Sequence, residues 1–235
     1  MNKPRLLHFF SVVVIGFTLF TSAGQPANAT RKTNNVVIVG DSVANVLRWA
    51  PASMKPLWKS QYNAILETSG CQQLLRAGCL PQKQLSSLER IVKHRNDNID
   101  VYVVATGYDD TGPQYLAMAM RKIVAEVKSQ GASLIWLTYQ VNGNVKRKSK
   151  SFNKVLLQEQ LKNKMEILDW NLISSKKTKW FPGGGVHMNG VGGIQLGRSI
   201  LQALDIHFGR AVAVTTTTTT TTTTAFTTTT VTAPE

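Results

Sequence analysis

Short apolar runs alternate with longer amphipathic stretches through the middle of this chain, and this alternation constrains the fold more than any other feature. The run at residues 36–39 is continuous and β-branched, which is typical of a strand covered on both faces. Four further runs predict strands at residues 64–66, 101–105, 134–138 and 166–168. Strands that alternate with helices predict a parallel sheet with helices on both of its faces.

The stretches between these runs have the spacing of helices. They predict helices at residues 42–57, 82–95, 113–129, 152–163 and 191–208. The stretch at 113–129 is the clearest, because its apolar residues recur at every third or fourth position. In a parallel sheet, functional sites form at the carboxyl ends of the strands, so residues that directly follow a strand are the candidates for chemistry.

The N-terminal residues 1–29 have the three parts of a secretory signal peptide. Lys3 and Arg5 precede an apolar run at residues 6–20, and Ala27-Asn28-Ala29 is a small-residue cleavage site. An uncleaved anchor is the alternative, although the run is short for a membrane span. The sequence therefore predicts a secreted or cell-surface protein with no membrane span after cleavage.

The C-terminal residues 211–235 are rich in threonine, with ten in succession at residues 215–224. Such a segment cannot bury a core and predicts a disordered tail. An O-glycosylated spacer and a repeat without a role are both open interpretations. The remaining residues 30–210 have the size of one domain.

Two cysteines, Cys71 and Cys79, lie close together between glycine residues. In an exported protein the oxidising environment favours a local disulfide between them, and free buried thiols are the alternative. Two cysteines are too few for a disulfide-stapled miniprotein. The sequence contains no CxxC pair, so it does not predict a zinc ribbon.

Positive charge is in excess, with 27 Lys and Arg residues against 13 Asp and Glu and a net charge of +14. Two groups of cations follow predicted strands, at residues 146–154 and 176–179. In an exported protein they favour anionic cell-surface polymers as partners, with a solvated basic loop as the alternative. Nucleic acid is not predicted as a partner, because no nucleic-acid-binding motif accompanies the charge.

The residues with catalytic potential begin directly after the first strand, where Gly40-Asp41-Ser42 leads into a helix. A serine at a helix N-terminus is either a nucleophile with a favourable site for an oxyanion or an ordinary helix cap. His187 lies in a glycine-rich loop, where an imidazole could reach a serine hydroxyl.

Four short blocks in this order resemble the SGNH hydrolase family, also called GDSL-type esterases. The blocks are Gly40-Asp41-Ser42, Gly70, Gly107-Tyr108-Asp109-Asp110 and Val186-His187, and they extend over residues 35–204. The chain looks most similar to secreted, actinobacterial-type members. This resemblance implies a flavodoxin-like three-layer α/β/α sandwich around a five-stranded parallel sheet.

The same resemblance implies a secreted serine ester hydrolase or acyltransferase. Its substrates would be acyl esters, such as O-acetylated or otherwise acylated carbohydrates, and neither a metal nor an organic cofactor is implied. Ser42 would be the nucleophile and His187 the general base. The oxyanion hole would be formed at Ser42, Gly70 and Asp109.

Two positions depart from the family pattern. Asp109 stands where the family has the oxyanion asparagine, and an aspartate carboxylate accepts hydrogen bonds rather than donating them. Gly184 stands where the family has the acid of the triad, which leaves a Ser–His dyad with Asp169 as a candidate to orient His187. The alternative function is therefore a catalytically weakened protein that binds an anionic glycan or cell-surface polymer.

Overall fold

The computed structural model describes residues 33–79 and 84–211. The predicted signal peptide and all but the first residue of the predicted tail lie outside the described residues. Five strands form one parallel sheet in the order β2-β1-β3-β4-β5. Their bounds are β1 Asn34–Gly40, β2 Tyr62–Thr68, β3 Val101–Ala105, β4 Ser133–Leu137 and β5 Glu166–Leu168.

The register of the three strands on the β2 side brings their carboxyl ends to one level. Gly40 at the end of β1 pairs with Thr68 of β2 and with Ala105 of β3. The residues that follow these strands therefore emerge at the same edge of the sheet. This places the Gly40-Asp41-Ser42 turn between the loop containing Gly70 and the loop containing Asp109.

Seven α-helices connect or follow the strands in the described part of the chain. Their bounds are α1 Val46–Trp49, α2 Lys55–Trp58, α3 Ser87–Lys93, α4 Pro113–Ser129, α5 Lys146–Asn163, α6 Trp170–Ser174 and α7 Gly190–His207. Among the described residues, no helix combines the length and the apolar character that crossing a membrane requires.

Helices cover both faces of the sheet. Successive residues of each strand point to opposite faces, so one strand contributes to two separate cores. Val36 and Ile38 of β1 pack in a core with α1, α2 and α7. Val37 and Val39 pack in a second core with α3, α4 and α5. The predicted three-layer α/β/α architecture with a five-stranded parallel sheet is therefore confirmed.

The helix predicted at residues 42–57 is wrong in detail. This segment forms α1, a 3₁₀ turn at Pro51–Ser53 and α2 instead of one helix. Pro51 and Pro56 each stand in the first positions of a new helical segment, where a proline lacks no required hydrogen bond. Helix α5 also begins earlier than predicted, at Lys146, and the short helix α6 follows β5.

Candidate active site

Ser42 and His187 meet at the carboxyl edge of the sheet. The Nε2 atom of His187 lies 3.0 Å from the Oγ atom of Ser42, within hydrogen-bond distance. Ser42 is half-buried in the turn after β1, and His187 is exposed in the loop that leads into α7. A contact of this kind between a hydroxyl and a base can activate a serine as a nucleophile.

The turn after β1 is tight enough to require glycine. A Cβ atom added at Gly40 would collide with the Cβ atom of Ala44 and approach the methyl group of Thr68 to 3.1 Å. The Oδ1 atom of Asp41 accepts a hydrogen bond of 3.0 Å from the backbone N–H of Val43. The Asp41 side chain therefore holds the backbone directly after Ser42.

Asp41 also joins this turn to the loop after β3. Its Oδ2 atom accepts hydrogen bonds from the backbone N–H groups of Gly107, at 2.9 Å, and Tyr108, at 3.0 Å. Complete burial raises the pKa of Asp41 to about 7, although the three backbone donors act in the opposite direction. This role of Asp41 could not be predicted from the sequence, because an aspartate after a strand is usually a local cap.

The loop after β3 is itself fixed by a tyrosine that follows β4. The hydroxyl of Tyr139 donates a hydrogen bond of 2.8 Å to the carbonyl oxygen of Thr106. Gly107 adopts a φ of 140°, and a Cβ atom there would collide with the Tyr139 hydroxyl. The backbone next to Asp109 is therefore held in a conformation that favours glycine.

Asp110 ties the loop after β2 to the loop after β3. Its carboxylate is buried and accepts hydrogen bonds of 3.1 and 3.3 Å from the backbone N–H of Leu74, and burial raises its pKa to about 6. The side chain of Gln73 donates to the carbonyl oxygen of Asp109 at 3.2 Å. The disulfide between Cys71 and Cys79, with Cα atoms 5.5 Å apart, closes the same β2 loop directly after Gly70.

A buried charge cluster supports the start of this β2 loop. The carboxylate of Glu67, near the end of β2, accepts hydrogen bonds from Arg90, from Lys93 at 2.7 Å and from His94 at 2.9 Å. Arg90 also donates to the Oγ atom of Ser69 at 3.3 Å, one residue before Gly70. Burial raises the pKa of Glu67, but the hydrogen bonds from Lys93, His94 and Arg90 outweigh it and lower the pKa to about 2.

The predicted oxyanion hole contains backbone donors and one carboxylate. Among the described residues, no protein acceptor takes a hydrogen bond from the backbone N–H of Ser42 or of Gly70. Asp109 is half-buried, and within the same residues its Oδ2 atom is buried without a hydrogen-bond partner. Free N–H groups suit a developing oxyanion, whereas an ionised carboxylate opposes it.

The triad acid has no substitute in the described part of the chain. Gly184, at the position of the family's acid, is exposed with a φ of 68°. Among the described residues, no carboxylate forms a hydrogen bond with the Nδ1 atom of His187. Asp169 instead caps α6, because its Oδ1 atom accepts from the backbone N–H of Leu172 at 3.0 Å and from the hydroxyl of Thr138 at 2.8 Å. Its hydrogen bonds therefore serve α6 and the end of β4.

A small apolar cavity adjoins the site. Its volume is about 20 Å³, and its lining includes Val43 and Met188, the residues directly after Ser42 and His187. Ala105, Leu137 and Trp170 also contribute to its wall. A cavity of this size holds one group as large as a water molecule.

Comparisons with known proteins place the fold. No protein-family model matches the chain, and no curated protein matches it in sequence. The esterase EstA from Pseudoalteromonas sp. superposes with a TM-score of 0.60 at 11% identity, over 75% of this chain and 99% of that one. A GDSL-like lipase from Bacteroides thetaiotaomicron gives 0.58 at 14%, over 77% and 93%.

An acetyl xylan esterase has a TM-score of 0.54 at 14% identity, and the match covers 72% of this chain and 99% of that one. At these identities the likeness is one of fold. The architecture is that of the GDSL-type esterases and lipases, as the sequence resemblance implies.

Proposed function

We propose that this chain, which has the SGNH hydrolase fold, is a secreted carboxylic ester hydrolase or acyltransferase that uses Ser42 and His187. The distance of 3.0 Å between Nε2 of His187 and Oγ of Ser42 carries the proposal. A protein that only binds its ligand has no need of this contact, so the geometry supports catalysis over the binding function considered as the alternative.

In the first half of the reaction, the Oγ atom of Ser42 attacks the acyl carbon while Nε2 of His187 takes its proton. In this mechanism the backbone N–H groups of Ser42 and Gly70 donate hydrogen bonds to the oxyanion of the tetrahedral intermediate. When the intermediate collapses, His187 returns the proton to the oxygen of the leaving alcohol. The product of this half-reaction is an acyl ester on Ser42.

In the second half, water or an acceptor alcohol attacks the acyl-enzyme and loses its proton to His187. The tetrahedral intermediate then expels Ser42, which recovers its proton from the same imidazole. Water yields hydrolysis, and an alcohol yields acyl transfer. Each half-reaction uses the same two side chains and requires no metal ion.

The substrate is proposed to be a carbohydrate that carries short acyl groups. Two solved structures of the same fold are named as an acetyl xylan esterase and an acetyl-xylooligosaccharide esterase. An apolar cavity of about 20 Å³, whose lining includes the residues directly after Ser42 and His187, supports a small acyl group such as acetyl. The disulfide Cys71–Cys79 agrees with the secretion that the N-terminal sequence predicts.

The deciding experiment compares wild type with Ser42→Ala in the hydrolysis of p-nitrophenyl acetate. We expect kcat to fall by about 10³-fold or more in Ser42→Ala and in His187→Ala, with Ser175→Ala as the control serine. A fluorophosphonate should label Ser42 in the wild type, as mass spectrometry of its peptides would show. Equal hydrolysis by wild type and Ser42→Ala would exclude the proposed mechanism.

A further inference from the structure

Eight cations form two exposed groups near the candidate active site. The first group, called the 146–154 cluster, consists of Lys146, Arg147, Lys148, Lys150 and Lys154. The second group, called the 176–179 cluster, consists of Lys176, Lys177 and Lys179. Seven of these side chains are exposed and Lys148 is half-buried. In the part of the chain that the structure describes, none of the eight forms an ion pair.

The segment that leads into the 146–154 cluster lies against the residues just before His187. The side chain of Asn142 donates a hydrogen bond of 3.2 Å to the carbonyl oxygen of Gly185. Gly143 packs so closely that an added Cβ atom would lie 2.8 Å from the carbonyl oxygen of Gly184. Lys148 contacts the loop after β3, where its Nζ atom donates to the carbonyl oxygen of Tyr108 at 2.7 Å.

The 176–179 cluster lies against the residues just after His187. The side chain of Asn189 donates to the carbonyl oxygen of Lys179 at 2.9 Å. The backbone N–H of Asn189 donates to the carbonyl oxygen of Trp180, also at 2.9 Å. The loop that carries His187 is therefore joined to a cationic segment at each end.

The charge pattern of α5 is unfavourable for the free protein. The first turns of α5 carry the 146–154 cluster without an acidic side chain, at the end of a helix where the dipole disfavours cations. Lys146, Lys150 and Lys154 are also spaced at four-residue intervals, where like charges repel. By contrast, α3 has Glu89 in its first turn and Arg90 and Lys93 in its last. A bound polyanion would relieve this repulsion in α5.

The spacing of the lysines indicates a polymer rather than a single anion. Residues four apart on a helix are separated by about 6 Å along its axis, so Lys146, Lys150 and Lys154 extend over about 12 Å. One carboxylate or phosphate cannot contact all three, whereas a chain with repeated anionic groups can. The 176–179 cluster extends the cationic surface past His187.

We propose that the acyl ester cleaved at Ser42 is carried on a polyanionic polymer, which binds along the 146–154 and 176–179 clusters. This inference rests on the proposed esterase function and adds the charge of the substrate. The clusters attract the polymer and hold it, while Ser42 and His187 act on its acyl groups. Carboxylates and phosphodiesters share the chemistry that these cations recognise.

The test measures kcat/KM of the full chain on three polymers with the same acetyl group. The polymers are O-acetylated polygalacturonate, O-acetylated polyglycerol phosphate and neutral O-acetylated xylan. At low salt we expect kcat/KM on at least one polyanion to exceed that on xylan by about tenfold or more, mainly through a lower KM, and the excess to shrink as salt screens the charges. The preferred polyanion distinguishes carboxylate from phosphate recognition.

Two triple variants with the same change in charge decide whether the clusters are responsible. The cluster variant combines Lys146→Glu, Lys150→Glu and Lys154→Glu. Its preference for the polyanion over xylan should be lower than that of the wild type by about tenfold or more. Each rate is normalised to the turnover of p-nitrophenyl acetate by the same variant. The control carries Lys59→Glu, Lys122→Glu and Lys128→Glu, three exposed lysines on other elements, and should keep the preference. Equal preference in the two variants would overturn the inference.

A binding measurement separates this inference from the proposed function. If no ester is hydrolysed, the esterase proposal fails, and the affinity for fluorescent, unacylated polygalacturonate and polyglycerol phosphate then tests the surface alone. Weaker binding of both probes by the cluster variant than by the control variant would support the surface, and equal binding would overturn it. Equally strong binding of a DNA oligonucleotide of matched charge would also overturn the assignment to an acylated polymer.

Discussion

The imidazole Nε2 of His187 and the hydroxyl Oγ of Ser42 are 3.0 Å apart, although 145 positions separate the two residues in the chain. The strand order produces this contact, because β1 lies inside the sheet and ends at the level of β2 and β3. Asn189 then caps α7 by accepting a hydrogen bond from the backbone N–H of Gly192 at 3.0 Å. This cap fixes the start of α7 at Gly190, three residues after His187.

Supplying a carboxylate at residue 184 should increase the turnover of esters. In Gly184→Asp, the new side chain has open space, and aspartate tolerates a φ of 68° better than most residues. A carboxylate that accepts from Nδ1 of His187 fixes the tautomer of the ring, an effect that reaches ~10⁴ in serine proteases. We expect kcat for p-nitrophenyl acetate to rise about tenfold or more.

Gly183→Asp is the matched control for this change. Gly183 has a φ of 71°, is exposed and has equally open space around its Cα atom. An increase confined to Gly184→Asp would show that the position of the carboxylate matters. Equal rates in both variants would mean that a backbone or solvent contact already orients His187.

Replacing the carboxylate of Asp109 by an amide should also accelerate the reaction. An asparagine side chain donates an N–H, whereas the aspartate carboxylate accepts, and one oxyanion donor contributes about 10²–10³ in kcat. Because the Oδ2 atom of Asp109 has no hydrogen-bond partner among the described residues, Asp109→Asn breaks no contact of that atom. We expect kcat to rise about tenfold or more with little change in KM.

Asp110→Asn provides the comparison for Asp109→Asn. The Asp110 carboxylate accepts from the backbone N–H of Leu74, so an amide there disturbs the loop that contains Gly70. Its kcat should stay the same or fall. If Asp109→Asn behaves in the same way, residue 109 does not face the oxyanion.

The strands could be predicted from the sequence because their signal is local. The β-branched run of β1 and the limits of β3 and β5 agree with the structure to within a few residues. The single helix predicted at residues 42–57 is wrong because it follows the apolar spacing through Pro51 and Pro56, although each proline marks the start of a new helical segment. Two prolines change the local backbone without changing that spacing.

The candidate site was predictable only where a residue follows a strand. Ser42 was recognised from the turn that contains it, but the hydrogen bonds of Asp41 to Gly107 and Tyr108 depend on the pairing of β1 with β3. The ion pairs of Glu67 depend in the same way on where α3 packs. Contacts between distant segments leave no periodic signal in either segment.

The backbone at Gly107 should not tolerate a side chain. In Gly107→Ala, the methyl group meets the Tyr139 hydroxyl, and the residue keeps a φ of 140° that alanine rarely adopts. We expect the free energy of unfolding to fall by about 2 kcal/mol or more, as measured by urea denaturation. Gly190→Ala in the first turn of α7 has open space and should change stability by less than about 1 kcal/mol.

The Glu67 cluster should make stability depend on pH in the acid range. The cations beside Glu67 lower its pKa from 4.5 to about 2 in the folded protein. A carboxyl group with a lowered pKa stabilises the fold above its unfolded pKa, and this stabilisation is lost as the pH falls from about 5 towards 2. Glu67→Gln should lower the free energy of unfolding by about 3 kcal/mol at pH 7, because it leaves the largely buried guanidinium of Arg90 without its partner.

The difference in unfolding free energy between wild type and Glu67→Gln isolates this group. Burial raises the pKa of Asp41 to about 7 and that of Asp110 to about 6. The contribution of each group to the free energy of unfolding therefore decreases as the pH rises towards its raised pKa. Both contributions are present in wild type and variant, and they cancel in the difference. The difference should therefore be large near pH 7 and should decrease steadily below about pH 5.

Glu126→Gln tests whether burial is responsible for the size of the effect. Glu126 pairs with the exposed side chain of Arg95, and such pairs contribute at most about 1 kcal/mol. Glu67 is 8% exposed and Arg90 is 14% exposed, so solvent screens their interaction far less. Equal losses in the two variants, or a Glu67→Gln difference that does not change with pH, would show that the charge of Glu67 does not stabilise the start of the Gly70 loop.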